Sequence, residues 1–153
     1  QAVSHDARAL LNALIYKRPA PVQSVDELPN GMDAGYDREQ NAGFVRRGLS
    51  AKELVCGLAK ALAQAELART GEEYTEENAG FKAQCVSYIL GKEFGVDVTG
   101  YAFEAPADFL RPDDPQTIRT ELTDIRDTAY DISSRMMRSL EQSKAPRQSE
   151  QER

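Results

Sequence analysis

Apolar residues fall at helical spacing in several stretches of this chain and gather into short runs between the first two. From His5 to Lys17, Leu10, Leu11, Leu14 and Ile15 share one side, and Pro19 and Pro21 end the pattern. A second helix is predicted over about 50–69. Ser50 and Glu53 stand at capping-box spacing at its start, Leu54, Leu58 and Leu62 recur every fourth residue, and Thr70-Gly71 stops it. A third runs from near Thr75 to about Phe94, with Gly95 placed to cap its end. The last begins at Asp114-Pro115, an N-cap followed by proline at the first helical position. Along it Ile118, Leu122, Ile125, Ala129, Ile132, Met136 and Leu140 form the narrow stripe of a packed or coiled helix. Val22–Val25, Asp33–Asp37 and Ala42–Arg46 are short runs separated by Pro29-Asn30-Gly31 and by Arg38–Asn41, and they read as a small antiparallel sheet. The stretch 96–113 reads as mostly irregular. The pattern predicts an α+β fold, about half helical, with about four helices packed on a small sheet.

The final stripe divides in function. Ile118, Leu122, Ile125, Ala129 and Ile132 are expected inside the domain. Met136, Met137 and Leu140 lie toward the end of the helix, where adjacent methionines suit adaptable contacts, and form a candidate partner surface for weak self-association. Residues 143–153 are polar and broken by Pro146, which reads as a linker or disordered tail after a single domain of 1–142. Both ends look like cuts in a longer polypeptide.

Composition narrows the partners. The chain has 153 residues, 41% apolar and 29% charged, the balance of a soluble globular domain. Nineteen basic residues against 25 acidic give a net charge of −6, and the one basic pair, Arg46-Arg47, is too small to track a nucleic-acid backbone. No apolar run approaches the roughly 18 residues of a membrane span. Two cysteines suggest a reducing compartment, hence the cytoplasm. The acidic run Glu72–Glu77 lacks the alternating order that wraps calcium, and its later members suit the first turn of a helix.

The chemistry concentrates on the second and third helices. Cys56 and Lys60 are four apart and therefore share a face. Cys56-Gly57-Leu58-Ala59-Lys60 occupies the place that H-E-x-x-H holds on a zinc-peptidase helix, where two histidines bind metal and the glutamate activates water. The order of segments resembles the ImmA/IrrE-like and ArdC-like metallopeptidase domains of bacterial mobile elements. Gly35-Tyr36-Asp37 through Gly43-Phe44-Val45 is similar to the hairpin those domains place before the active-site helix. Phe81 to Leu90 resembles their second helix, with Gln84 at the position of the third zinc ligand. Phe94-Gly95-Val96-Asp97 and Gly100-Tyr101-Ala102-Phe103 resemble the stretch that follows, and Ile125-Arg126-Asp127-Thr128-Ala129 resembles the closing helix.

The resemblance implies a zincin-like fold in which Cys56, Gly57, Lys60 and Gln84 are former active-site positions. Thiolate is a strong zinc ligand, but protonated lysine and neutral amide are not, and the one histidine, His5, lies near the N-terminus. No metal or other cofactor is therefore expected. Tyr88, one turn after Gln84, is a candidate cleft or peptide contact, while Cys85 reads as core beside Phe81 and Tyr88. The expected function is a catalytically inactive, pseudo-metallopeptidase module that binds an unknown protein or a neighbouring domain of the same polypeptide. Two alternatives stand beside it: an active hydrolase using Cys56 or an unrecognised site, and a groove that binds peptide without cutting it.

Overall fold

The computed structural model describes residues 6–70, 76–101 and 115–151, with no side-chain detail for residues 70, 76, 77 and 143–151. In chain order the elements are α1 (Ala7–Ile15), β1 (Val22–Val25), a 3-10 turn at Pro29–Gly31, β2 (Ala34–Asp37), β3 (Ala42–Arg46), α2 (Ala51–Thr70), α3 (Glu76–Glu93) and α4 (Pro115–Gln151). His5, residues 71–75 of the acidic run and residues 102–114 lie outside the described residues. The architecture is α+β, and 65% of the described residues are helical.

Local chemistry sets the helix ends. Asp6 accepts the Ala9 amide at 2.8 Å to start α1. At α2 the capping box closes in both directions: the Glu53 amide donates to Ser50 Oγ at 3.2 Å, and the Ser50 amide donates to Glu53 Oε1 at 2.9 Å. Gly95, at φ +78°, turns the chain out of α3, and the Val96 amide reaches back to the Gly91 carbonyl at 2.8 Å.

The sheet corrects the sequence expectation. It is mixed, in the order β1-β3-β2, with β2 antiparallel to β3 but β1 parallel to it. The four residues between β2 and β3 close a hairpin, in which Asp37 Oδ1 accepts the Glu39 amide and Tyr36 donates to Asn41 Oδ1 at 2.6 Å. The link from β1 to β2 is longer and carries the 3-10 turn. It delivers β1 to the far edge of β3 instead of beside β2, so β3 is central and contributes buried Ala42, Gly43 and Val45.

Helix α2 lies at the middle of the molecule and touches α1, α3, α4, β2 and β3. From Ala61 to Leu67 every residue is buried, because the small alanines let neighbours close in on all sides. Two charged side chains, Glu66 and Lys82, are buried with it or across from it. Glu66 faces the guanidinium of Arg135, which also donates to the Lys17 carbonyl at 2.8 Å and so ties α4 to the end of α1. Lys82 of α3 reaches Glu121 at 3.2 Å and Asp124 at 3.0 Å on α4.

The α4 stripe also departs from expectation. Ile125, Ala129, Ile132 and Met136 enter the core, whereas Leu122 is 52% exposed and Ile118 only half-buried. Lys82 meets α4 between Glu121 and Asp124, so the 121-124-125-128 edge faces inward there and Leu122 is rotated away. Met136 was expected at a partner surface, yet it is 2% exposed, and Leu140 packs half-buried against the same core, because α1 covers this end of α4. Of that candidate surface Met137 alone is exposed. The backbone of 143–151 continues α4, where the sequence reads as a linker or tail; its Ala, Arg, Gln and Glu residues are helix formers that carry the helix past Pro146.

Candidate functional site

Cys56, Gly57, Lys60 and Gln84 line one open cavity of about 380 Å³, as the α2 face and its pairing with α3 require. Asp33 and Ala34, at the start of β2, form a wall with Met32. Lys52 and Glu53 of α2 border it, and Thr99, Gly100 and Tyr101 close it from the turn after α3. Tyr88 does not line the cavity, a correction to its expected role. Its ring meets that of Tyr101 edge-on, with centroids 5.7 Å apart, so it supports the wall instead of forming it.

Helix α2 approaches β2 closely at this point. A Cβ placed on Gly57 would stand 3.1 Å from the Ala34 Cβ, so glycine there lets the helix lie against the strand. The turn carrying Tyr101 is built in the same way, since a Cβ on Gly91 would overlap Val98 Cγ1. Asp97 braces that turn by accepting from the Thr99 amide at 2.9 Å and the Thr99 hydroxyl at 2.6 Å, and by pairing with Lys52 at 3.3 Å. These bonds hold the Asp97 carboxyl down to about 2, the Thr99 hydroxyl contributing most.

A hydrogen-bonded chain runs along the floor. Ser87 Oγ lies 2.9 Å from the Cys56 carbonyl, which can only accept, so Ser87 donates there. In the 2.7 Å contact between Ser87 and Tyr101, the tyrosine must then be the donor. The Cys56 thiol also interacts with the phenol. Burial raises the Cys56 thiol above its usual range, only partly offset by Tyr101 and Lys52. Burial raises Tyr101 as well, with the Cys56 contact adding to it. Both groups therefore stay protonated at neutral pH, and neither is an activated nucleophile. Cys85, half-buried against the core with its thiol also raised by burial, packs as expected.

Lys60 is the other ionisable group on this floor. Burial lowers its ammonium from the ordinary value, and the charge of Asp33 partly opposes that shift. Asp33 itself is held by Arg46 at 2.8 Å. The donor set does not fit a zinc ion. A protonated thiol, an ammonium and an amide cannot complete a tetrahedral site, and no group of three or more His, Cys, Asp or Glu side chains gathers among the described residues.

Sequence reasoning missed Ser87, Tyr101, Asp97 and Asp33 as parts of this site. Ser87 carried a usable signal, a hydroxyl within an apolar helical stretch one turn from Gln84. Tyr101 and Asp97 depend on how the turn after Gly95 folds back, which no local pattern specifies. No family model, curated protein or solved structure matches the chain.

Proposed function

We propose that this chain is a non-catalytic binding module with a metallopeptidase-like, zincin-like arrangement, working as a protein-binding or scaffolding part of a larger protein of a bacterial mobile element. The observation that supports it is the convergence of Cys56, Gly57, Lys60 and Gln84 on one cavity that has room for a ligand but gathers, among the described residues, neither an activated cysteine nor a metal-ligand set. The cavity lies between α2, Gln84 of α3 and the start of β2. In that form the site holds a short peptide segment without cutting it. The Cys56 hydrolase reading is the weaker one, since burial raises its thiol and the neighbouring Lys52 charge offsets that only in part.

The test joins metal analysis to peptide binding. Purified protein is expected to hold no stoichiometric zinc, to keep its Tm in chelator and to leave peptide substrates uncut. Short acetylated peptides are expected to shift the Met32 ε-methyl resonance at the cavity wall. One zinc per chain together with peptide hydrolysis would replace this reading with an enzyme.

A further inference from the structure

Resting on the binding reading above, we infer that the ligand of the cavity presents a carboxylate, seated between the Lys60 ammonium and the Gln84 amide. The reasoning starts from which charges at the wall are already engaged. Asp33 is bound to Arg46 at 2.8 Å, Asp97 to Lys52 at 3.3 Å and to Thr99, and Glu53 to the Ser50 amide at 2.9 Å. Each carboxylate thus has its partner within the protein. Lys60 and Gln84 do not: among the described residues neither makes a hydrogen bond or ion pair, although both are half-buried and line the same cavity.

A half-buried ammonium without a hydrogen-bond acceptor has given up part of its hydration, and the Asp33 charge compensates only in part. A carboxylate entering the cavity would accept from Lys60 in a charge-assisted bond and from the Gln84 amide in a second, using donors that come from two different helices. Asp33 acts against an anion, but its charge is shared with Arg46. A cationic group would meet the Lys60 charge directly and has no free carboxylate to offset it. The volume, about 380 Å³, takes one residue-sized group, and Met32 with Ala34 supplies an apolar wall for its aliphatic part. The chemistry is that of a peptide C-terminus or a small free carboxylic acid.

The probes are N-acetyl-alanyl-alanine, the same dipeptide as its C-terminal amide, and acetate, each titrated into the isotope-labelled chain while the Met32 ε-methyl signal is followed. The acid is expected to bind about tenfold or more tighter than the amide, the difference that one hydrogen bond to a charged group makes. Lys60→Gln should weaken the acid by a similar factor and leave the amide unchanged, whereas Lys60→Arg should retain most of the acid's affinity. Should Lys60→Gln fail to fold, Gln84→Ala must still narrow the gap between acid and amide. Acetate matching the dipeptide acid identifies a small free acid as a sufficient ligand, while a clear advantage for the dipeptide identifies a peptide terminus. Equal binding of acid and amide would overturn the carboxylate inference and leave the binding reading standing. No shift with any probe or short peptide would overturn both.

Discussion

Met136→Ala separates the intrachain role of α4 from a partner role. Met136 is 2% exposed and borders a residual void of only about 10 Å³, whose other walls include Leu10 and Leu14 of α1, Val55 of α2, Leu90 of α3 and Phe94 just past its end. It is therefore the α4 side chain at the point where all four described helices meet. Truncating a buried Met to Ala costs about 2–5 kcal/mol, the spread depending on how far the walls relax into the space. Here the walls belong to helices fixed by their own contacts, with α2 enclosed on every side, so the upper half of that range is expected, about 3–5 kcal/mol. For a chain of this size that corresponds to a fall of about 6–20 °C in Tm. Urea unfolding provides the assay, with a lower midpoint at unchanged m-value. Met137→Ala is the internal control, because Met137 is 50% exposed and its truncation is expected to stay within about 0.5 kcal/mol. Ending the chain after Arg135 removes Met136 and the half-buried Leu140 together and is expected to abolish cooperative folding. Equal effects of Met136→Ala and Met137→Ala would refute the packing described here and return Met136 to the surface.

Three further outcomes are expected. Gly91→Ala drives a methyl into Val98, and the overpacking cost of about 1–3 kcal/mol outweighs a helix-propensity gain of at most about 1 kcal/mol; because the displaced turn carries Tyr101, Cys56 should also become more reactive to a thiol reagent, and unchanged reactivity would count against the Tyr101 contact. Lys82→Ala leaves Glu121 and Asp124 facing each other without their shared cation and should cost about 3 kcal/mol, the lower end for a broken buried pair because Asp124 is 39% exposed; a loss under about 1 kcal/mol by chemical denaturation would show that water already solvates the cluster. The Asp97 carboxyl, lowered from 3.8 to about 2, should support its turn fully above pH 3.8 and lose that support as the pH falls through about 2; a side-chain carboxyl titration by NMR that returns the ordinary value would show the Thr99 and Lys52 bonds absent in solution.

Helix boundaries were legible because each is set by neighbours within one turn. The Ser50–Glu53 box forms as its spacing requires, Gly95 takes the left-handed conformation, and Pro115 opens α4. The sheet was legible only in its strands and its hairpin. Whether β1 lies beside β2 or across β3 depends on the path of residues 26–33, and a meander and a mixed sheet share the same alternation. The Met136 error has a comparable origin. The helix that covers it is α1, whose end is tied to Arg135 across a separation of 119 residues, and periodicity gives the apolar face of a helix without saying what covers it. Leu122 errs the other way, because a buried ion cluster outranked an apolar stripe in choosing which edge of α4 meets α3. At the site, the Cys56–Lys60 face followed from helical spacing, while Gln84 came from the resemblance and Tyr101 from neither.

Gly57 bears most directly on what kind of site this is. On the proposed metallopeptidase-like reading, its position is that of the glutamate that activates water, and the chain would be an enzyme that lost four side chains. The packing argues that more than side chains separates the two states. With 3.1 Å between a Cβ at position 57 and that of Ala34, a glutamate would have to move α2 off β2 by a few tenths of an ångström before its carboxylate reached the cavity. That displacement would pass to Cys56 and Lys60 on the same helix, and to the Ser87 and Tyr101 hydroxyls bonded to the Cys56 backbone and thiol. The floor is instead closed by neutral hydrogen bonds from Tyr101 to Ser87 and from Ser87 to the Cys56 carbonyl, an arrangement suited to holding a shape. Among the described residues that line the cavity, Lys60 is the charged side chain with no hydrogen bond or ion pair. On the proposed binding reading that ammonium is where a ligand would be met, and this can be tested without first restoring an enzyme.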